Sequence, residues 1–278
     1  MSDTSSGLSI GFSESWLVET LGLPSEVLVS QRIPKKTLME MGVGGKGGKK
    51  LVQDLVGELR WVSSLQSSNT GLPGATANED APNEIEVIWC RLRNEPQRRS
   101  MLTDLTSLIH RSIPYPLFLA IVGEAGWVEL SLEVPAVIDG GLAEELRVDR
   151  PLVARLPDGF TDQAEKAHVM KAFQMALLPR ISIEDLYIGW FDRLLSLHIF
   201  QRTKALALSR TVSETRMRYA ALAKCTVLED EITVLQSKAV KAKQMRLRSD
   251  LNLELRQKHE DLMDCQSQLV GSASARWE

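Results

Sequence analysis

The stretch "PLFLAIVGEAGWVELSLEV", Pro116 to Val134, decides the fold class. Its first run, "LFLAIV", is wholly apolar, the mark of a strand covered on both faces. The second alternates. Val128, Leu130, Leu132 and Val134 share one face, and Trp127, Glu129, Ser131 and Glu133 share the other. Only "GEAG" separates the runs, so they pair as a hairpin. Upstream, "SIPYPLF" holds two prolines that cannot donate to a ladder, so pairing begins after Pro116. Tyr115 between them either packs or binds. Working outward, "MLTDLTSLIHRS" has helical spacing through Met101, Leu105, Leu108 and Ile109. "NEIEVIWCRL" and "RWVSSL" look extended, and "KKLVQDLVGELR" puts Leu51, Val52, Leu55, Val56 and Leu59 on one helical face. "SESWLVETLG" is a helix capped by Ser13 or Ser15 and stopped at Gly22. "PLVARL" reads as the last strand.

Punctuation then changes. Nine of the eleven prolines precede residue 155, and no glycine or proline occurs from Trp190 to Val270. The boundary is placed near residue 160, giving an α+β domain over 1–160 and a helical domain over 161–278. Thr161 or Asp162 caps "DQAEKAHVMKAFQMALL", which Pro179 ends. Ser182 with Asp185 is a near capping box for the next helix, whose Leu186, Trp190, Leu194 and Leu197 repeat at helical spacing. Two heptad-like seams follow: Leu228, Ile232, Leu235, Ala239 and Ala242, then Leu251, Leu255, Lys258, Leu262, Cys265 and Leu269. They are out of phase across "KAKQMRLRSD", where basic residues ring the helix. A bend or hairpin there is favoured over one long dimeric rod. Either way Leu228, Ile232, Leu235, Leu251, Leu255, Leu262 and Leu269 are expected in a helix–helix interface. A homo-oligomer through the tail is the other way to bury them. The expected fold class is therefore α+β, a small mixed sheet flanked by helices, followed by a long helical region that is a coiled coil or helical hairpin.

Composition bounds the chemistry. With 44% hydrophobic and 25% charged residues in 278, the chain reads as an ordinary soluble protein. Its net charge of −3 excludes a molecule that binds nucleic acid over its whole surface. Three scattered cysteines without a CxxC pair, a polar N-terminus and no long apolar run lead to the expectation of a cytoplasmic protein with reduced thiols. Neither metal nor cofactor is expected, because no histidine has ligand spacing and the Walker and dinucleotide patterns fail. In "MEMGVGGKGGKK", Met39 to Lys50, no Gly-Lys-Ser/Thr follows a strand.

What remains in that stretch is charge. Arg32, Lys35, Lys36, Lys46, Lys49 and Lys50 form the candidate anion- or nucleic-acid-binding set. Two readings stay open, a solvated loop leading into a helix and a contact to a phosphate backbone. Pro34 forces Ile33 extended, and Lys35 and Lys36 then sit near a helix start, opposing its dipole. An external anion or acidic partner would relieve that. No catalytic residue is assigned. Glu84 and Glu86 on one strand, and Glu129 and Glu133 on another, lack the lysine two residues on that a restriction-type nuclease needs. They are read as solvated carboxylates.

The ordered set "QRIPKKTLME", "KKLVQDLVGELRWVSSL", "NEIEVIWCRL" and "IHRSIPYPLFLAIV", with "KQMRLRSDLNLELRQK" farther on, resembles the bacterial family called domain of unknown function 4391. The sequence departs from it in the glycine-rich loop, Gly42 to Gly48. The resemblance implies a setting beside DNA methyltransferases and helicases in phage-defence, restriction-like gene clusters, and it supplies no catalytic residue. The expectation is a non-catalytic accessory or scaffold subunit that holds protein partners, a helicase or methyltransferase, through its helical tail, with nucleic acid a further partner. The alternatives are a stand-alone DNA-binding protein and a nuclease or nucleotide hydrolase with a dispersed site.

Overall fold

The structure is a computed structural model that describes residues 12–40, 45–74, 83–142, 150–157, 160, 162–205 and 207–270. It divides into two compact units, Met1–Glu133 with Pro151–Leu194 and Val134–Arg150 with Leu195–Glu278.

The first unit is built on a six-stranded sheet: β1 (Leu28–Arg32), β2 (Val56–Gln66), β3 (Glu84–Leu92), β4 (Leu117–Val122), β5 (Val128–Leu132) and β6 (Leu152–Leu156). Spatial order equals chain order. Every neighbouring pair is antiparallel except β3 with β4. Parallel neighbours need a crossover, which α5 (Arg99–Ser112) supplies. β4 and β5 form the hairpin read from the opening stretch, with Ala120 opposite Leu130.

One sheet face carries Leu59, Ile88, Cys90, Leu119 and Ile121. It is covered by Leu38 of α2 (Lys35–Glu40), Val52 and Leu55 of α3 (Gly45–Leu55), and Leu102, Leu105 and Ile109 of α5. The opposite face carries Phe118. Phe173 and Trp190 meet its ring edge-on at 6.5 and 5.6 Å. Trp190 lies in α8 (Ile183–Thr203), is fully buried, and donates its indole N–H to the Phe173 carbonyl at 2.8 Å. Trp89 similarly donates to the Phe12 carbonyl at 2.9 Å. Both faces of β3 are thus buried, as its two-sided apolar pattern implies.

The helix signals locate several ends. α1 (Glu14–Leu21) is capped by Ser13, whose hydroxyl accepts from Trp16 N, and closes at Gly22 with φ 60°. Asp162 caps α7 (Gln163–Lys171), with α4 (Ser67–Thr70) and α6 (Ala136–Asp139) the short helices before it. Ser182 and Asp185 bond reciprocally ahead of α8.

Three expectations are corrected. The helix ends at Leu55, and Val56, Leu59 and Arg60 belong to β2. α7 ends at Lys171 rather than running to Pro179, and Met175–Leu177 forms a separate 3-10 turn. Residues 45–48 of the glycine-rich stretch are the first turn of α3, not loop, and residues 41–44 lie outside those described. Gly45 has φ 53°, a left-handed conformation that suits glycine.

The second unit holds a helical hairpin, α9 (Val212–Lys241) and α10 (Met245–Val270). Thr211 caps α9 by accepting from Glu214 N at 3.1 Å. The chain reverses at 242–244. Lys258 Nζ lies 2.7 Å from Glu231 Oε2, Cys265 Sγ donates to the Ala221 carbonyl at 3.1 Å, and Arg218 Nε reaches the Leu269 carbonyl at 3.4 Å. Contacts that run backward along one helix as they run forward along the other define antiparallel packing.

Candidate functional site

Of the six basic candidates, the structure brings Arg32 and Lys35 together and adds Arg93. Arg32 ends the edge strand β1, Lys35 begins α2, and Arg93 follows β3, its backbone N–H bonded to the Leu55 carbonyl at 2.7 Å. Burial holds the Lys35 ammonium below the usual lysine range, and the charges of Arg93 and Arg32 push it the same way. Among the described residues, no carboxylate contributes to holding the Lys35 charge. Lys36 is exposed and pairs with Glu40 at 3.5 Å, a surface pair worth little. Lys46, Lys49 and Lys50 lie on the exposed side of α3, opposite the buried Val52 and Leu55. Lys46 stands in the first helical turn, where the dipole disfavours a cation.

Next to this edge lies a cleft of about 170 Å³ lined by Ile33, Leu38, Leu59, Trp61, Glu86, Ile88, Ile113, Pro114 and Tyr115. Eight of these nine side chains are aliphatic or aromatic. The ninth, Glu86, is 5% exposed. This corrects the reading of a solvated carboxylate, and the same correction applies to Glu129 on β5, also 5% exposed: α2 and residues 113–115 cover the Glu86 end of β3, and nothing in local spacing announces such a cover. The Trp61 indole donates to Glu86. Glu84, two residues back on the same face, accepts from Ser64 Oγ at 2.6 Å and from the Gln66 amide. The two carboxyls are driven apart. Burial, then the hydrogen bond with Glu84, pushes Glu86 up to about 8, with Trp61 pulling partly back. Burial also pushes Glu84 up, but hydrogen bonds from Ser64, Gln66 and Glu86 outweigh it and leave that carboxyl below its usual range. The pair titrates as a unit with one proton held between them at neutral pH.

A third polar group resembles a nucleophilic triad. His110 Nε2 is 2.9 Å from Ser131 Oγ, and His110 Nδ1 is 3.8 Å from Glu133 Oε1. Yet Ser131 has no exposed surface and His110 has 1%. Burial drives the imidazole down to about 3, so it is neutral. A hydroxyl sealed beneath α5 meets no substrate. With Thr106, which donates to Glu129 at 3.2 Å, these groups fasten α5 to β5. Beside them Arg155 stacks over the Trp127 ring at 4.0 Å. Among the described residues, no group of three or more histidine, cysteine or carboxylate side chains is placed to hold a metal ion.

In the hairpin, Leu228, Ile232 and Leu235 are buried along α9 and Leu269 along α10, while Leu251, Leu255 and Leu262 are half-buried. Lys238, Lys241, Lys243, Arg246 and Arg248 are all exposed around the reversal. Arg218, missed by the sequence reading, is buried and ties the unit together. It donates to Ser196 Oγ at 3.1 Å, Ser209 Oγ at 3.0 Å and the Ala207 carbonyl at 2.9 Å. Its Nε also meets the carbonyl end of α10, where a cation complements the dipole. Its place amid helical polar residues offered no periodic signal.

The fold and site define an α+β chain with a cationic sheet edge, an adjoining apolar cleft and a helical hairpin. The chain belongs to the family described as Domain of unknown function (DUF4391), which matches it over residues 21–135 and 146–262. No curated protein and no solved structure matches it. Among the described residues, no helix is long and apolar enough to cross a membrane.

Proposed function

We propose that this protein is a non-catalytic, nucleic-acid-contacting subunit of a larger assembly, of the anti-phage, restriction-like kind that the family resemblance suggests. One observation carries the reading. Between Arg32 and Lys50 six cations stand against a single carboxylate, Glu40, in a chain whose net charge is −3. Cations gathered with so little compensation are costly to keep unless an anion joins them, and a phosphate backbone supplies a regular row of anions. The hairpin serves assembly in this reading. Its outer side exposes Val234, Val240, Leu253 and Met263, apolar side chains of the kind that partner helices cover.

Fluorescence anisotropy with labelled single-stranded and duplex oligonucleotides, repeated across salt concentrations, tests the proposal. The expected result is binding that weakens linearly on a log–log plot, by about 0.7–0.9 in slope per phosphate neutralised. Replacing Lys35, Lys36, Lys46, Lys49 and Lys50 with glutamine flattens that slope. Absent binding, or binding indifferent to the five substitutions, overturns it.

A further inference from the structure

We propose that the tip of the helical hairpin, residues 238–248, inserts end-on into the surface of an anionic lipid bilayer. The inference goes beyond the phosphate-binding reading of the sheet edge and does not depend on it.

Charge comes first. From residue 232 to 249 the chain holds Lys238, Lys241, Lys243, Arg246 and Arg248 and not one carboxylate. All five are exposed. Glu231, the nearest acid before them, is engaged by Lys258 at 2.7 Å. Lys238 and Lys241 end α9, Lys243 lies in the reversal, and Arg246 and Arg248 open α10, so the charge gathers at one extremity of the hairpin. Arg246 and Arg248 stand about 200° apart around α10 and face opposite sides. A nucleic-acid groove engages one side of a helix. Cations on several sides at the end of a rod suit a charged plane met head-on.

Apolar exposure comes second. Val240 and Met245, 85% and 89% exposed, are the two most exposed large apolar side chains among the described residues, and they flank the reversal. Leu247 beside them is 49% exposed. Of the apolar side chains assigned above to partner helices, only Val240 lies here. Apolar groups set among cations gain little from a row of phosphates in water. A bilayer surface offers both halves, headgroup phosphates to the cations and the acyl-chain boundary to Val240, Met245 and Leu247. Long lysine and arginine stems keep their charges at headgroup level while the tip sinks below them.

Access comes third. Beyond Leu228, α9 buries only Ile232, Leu235 and Ala239, and α10 buries nothing before Cys265. Those three α9 residues share one face, the seam between the helices. From Glu229 to Lys241 the helix runs on for about 20 Å at 1.5 Å per residue. The tip is therefore carried clear of the remainder of its unit, and a lipid plane can meet it from the end.

The test is flotation of the full chain with phosphatidylcholine vesicles, either neutral or containing about one-third phosphatidylglycerol. The expected result is co-flotation with the anionic vesicles alone, weakening as salt rises. Replacing Lys238, Lys241, Lys243, Arg246 and Arg248 with glutamine abolishes it, since each cation contributes about a fivefold factor. Val240→Ser with Met245→Ser leaves every charge in place and weakens it about tenfold. All seven positions are exposed, and thermal melts confirm that both variants are folded. Replacing Lys35, Lys36, Lys46, Lys49 and Lys50 with glutamine leaves flotation unchanged, which separates this surface from the sheet edge. No flotation, equal flotation with neutral vesicles, or flotation that survives the loss of the five tip charges overturns the proposal. A loss with the charges but none with Val240 and Met245 also overturns it, because it marks attraction without insertion. If the chain ignores vesicles and the tip substitutions weaken oligonucleotide binding instead, the lipid surface fails and the phosphate reading stands.

Discussion

Glu86→Gln makes the buried carboxyl visible in stability alone, without any ligand. In the folded chain Glu86 titrates at about 8, against 4.5 for an unhindered glutamate. The sign follows from which state releases its proton first. Below pH 4.5 both folded and unfolded chains hold the proton, and Glu86 adds no pH dependence. Between the two values the unfolded chain ionises while the folded chain does not, so stability falls as pH rises. Above about pH 8 both are ionised and the loss levels off. At about 1.36 kcal/mol per pH unit the full loss approaches 5 kcal/mol. Water entering the cleft screens part of this, so about 2–4 kcal/mol is expected. Glutamine stays neutral at every pH, accepts from the Trp61 indole and donates to Glu84 as the protonated acid does. Glu84 contributes with the opposite sign, because its lowered value makes its stabilisation fade only as pH falls through the acid range. It leaves the window from pH 5.5 to 8 clear. Urea unfolding at half-unit steps across that window reads the difference. The native protein weakens steadily relative to Glu86→Gln, and the two curves run parallel again above pH 8.5. Parallel curves throughout would refute the assignment of a protonated Glu86.

Three further outcomes are expected. Trp190→Ala removes a fully buried indole, its edge contact with Phe118 and a bond to the Phe173 carbonyl, and costs about 3–5 kcal/mol in urea unfolding; a loss below 1 kcal/mol would contradict the packing. Leu235→Asp with Leu255→Asp places charges in the hairpin seam and costs several kcal/mol, on the order of 3 or more, with helical circular dichroism falling at lower temperature; an unchanged Tm shows the seam is not buried. Cys90 and Cys225 are pushed up to about 12, chiefly by burial, and Cys265 is equally enclosed. Iodoacetamide at pH 8 therefore labels none of them until urea unfolds the chain, and mass spectrometry showing prompt labelling of any one would contradict the burial.

The legible parts of the fold were those with a local cause. Ser13, Gly22, Asp162 and Ser182 announce helix ends because caps act within four residues. The hairpin of β4 and β5 announces itself because its turn is short and its second strand alternates. β2 misled for a physical reason. Its ladder slips at Val56/Glu58 and again at Trp61/Ser63. Each bulge adds a residue, so Val56, Leu59 and Val62 are buried three apart and imitate a helix. β1 was overlooked because all five of its residues are exposed, leaving no apolar rhythm. The basic candidates were legible as a charge imbalance. Glu86 and Arg93 were not, since what distinguishes them is supplied by α2, β1 and residues 113–115, all distant in sequence or across the sheet.

That inconspicuous edge strand has a use of its own. A sheet whose strands lie in chain order leaves its first and last strands with unpaired backbone groups, open to a stray strand from another molecule. β1 is five residues long, its register slips between Leu28 and Gln31, Ser30 adopts φ 49°, and Arg32 closes it with a charge. Each feature spoils the flat, neutral template that a second chain would need in order to stack. At the far border, β6 is equally short, carries Arg155, and is followed at once by Pro157. The irregularities that hid β1 from a periodic search are thus also what keeps neighbouring molecules from zipping onto the sheet in a crowded solution.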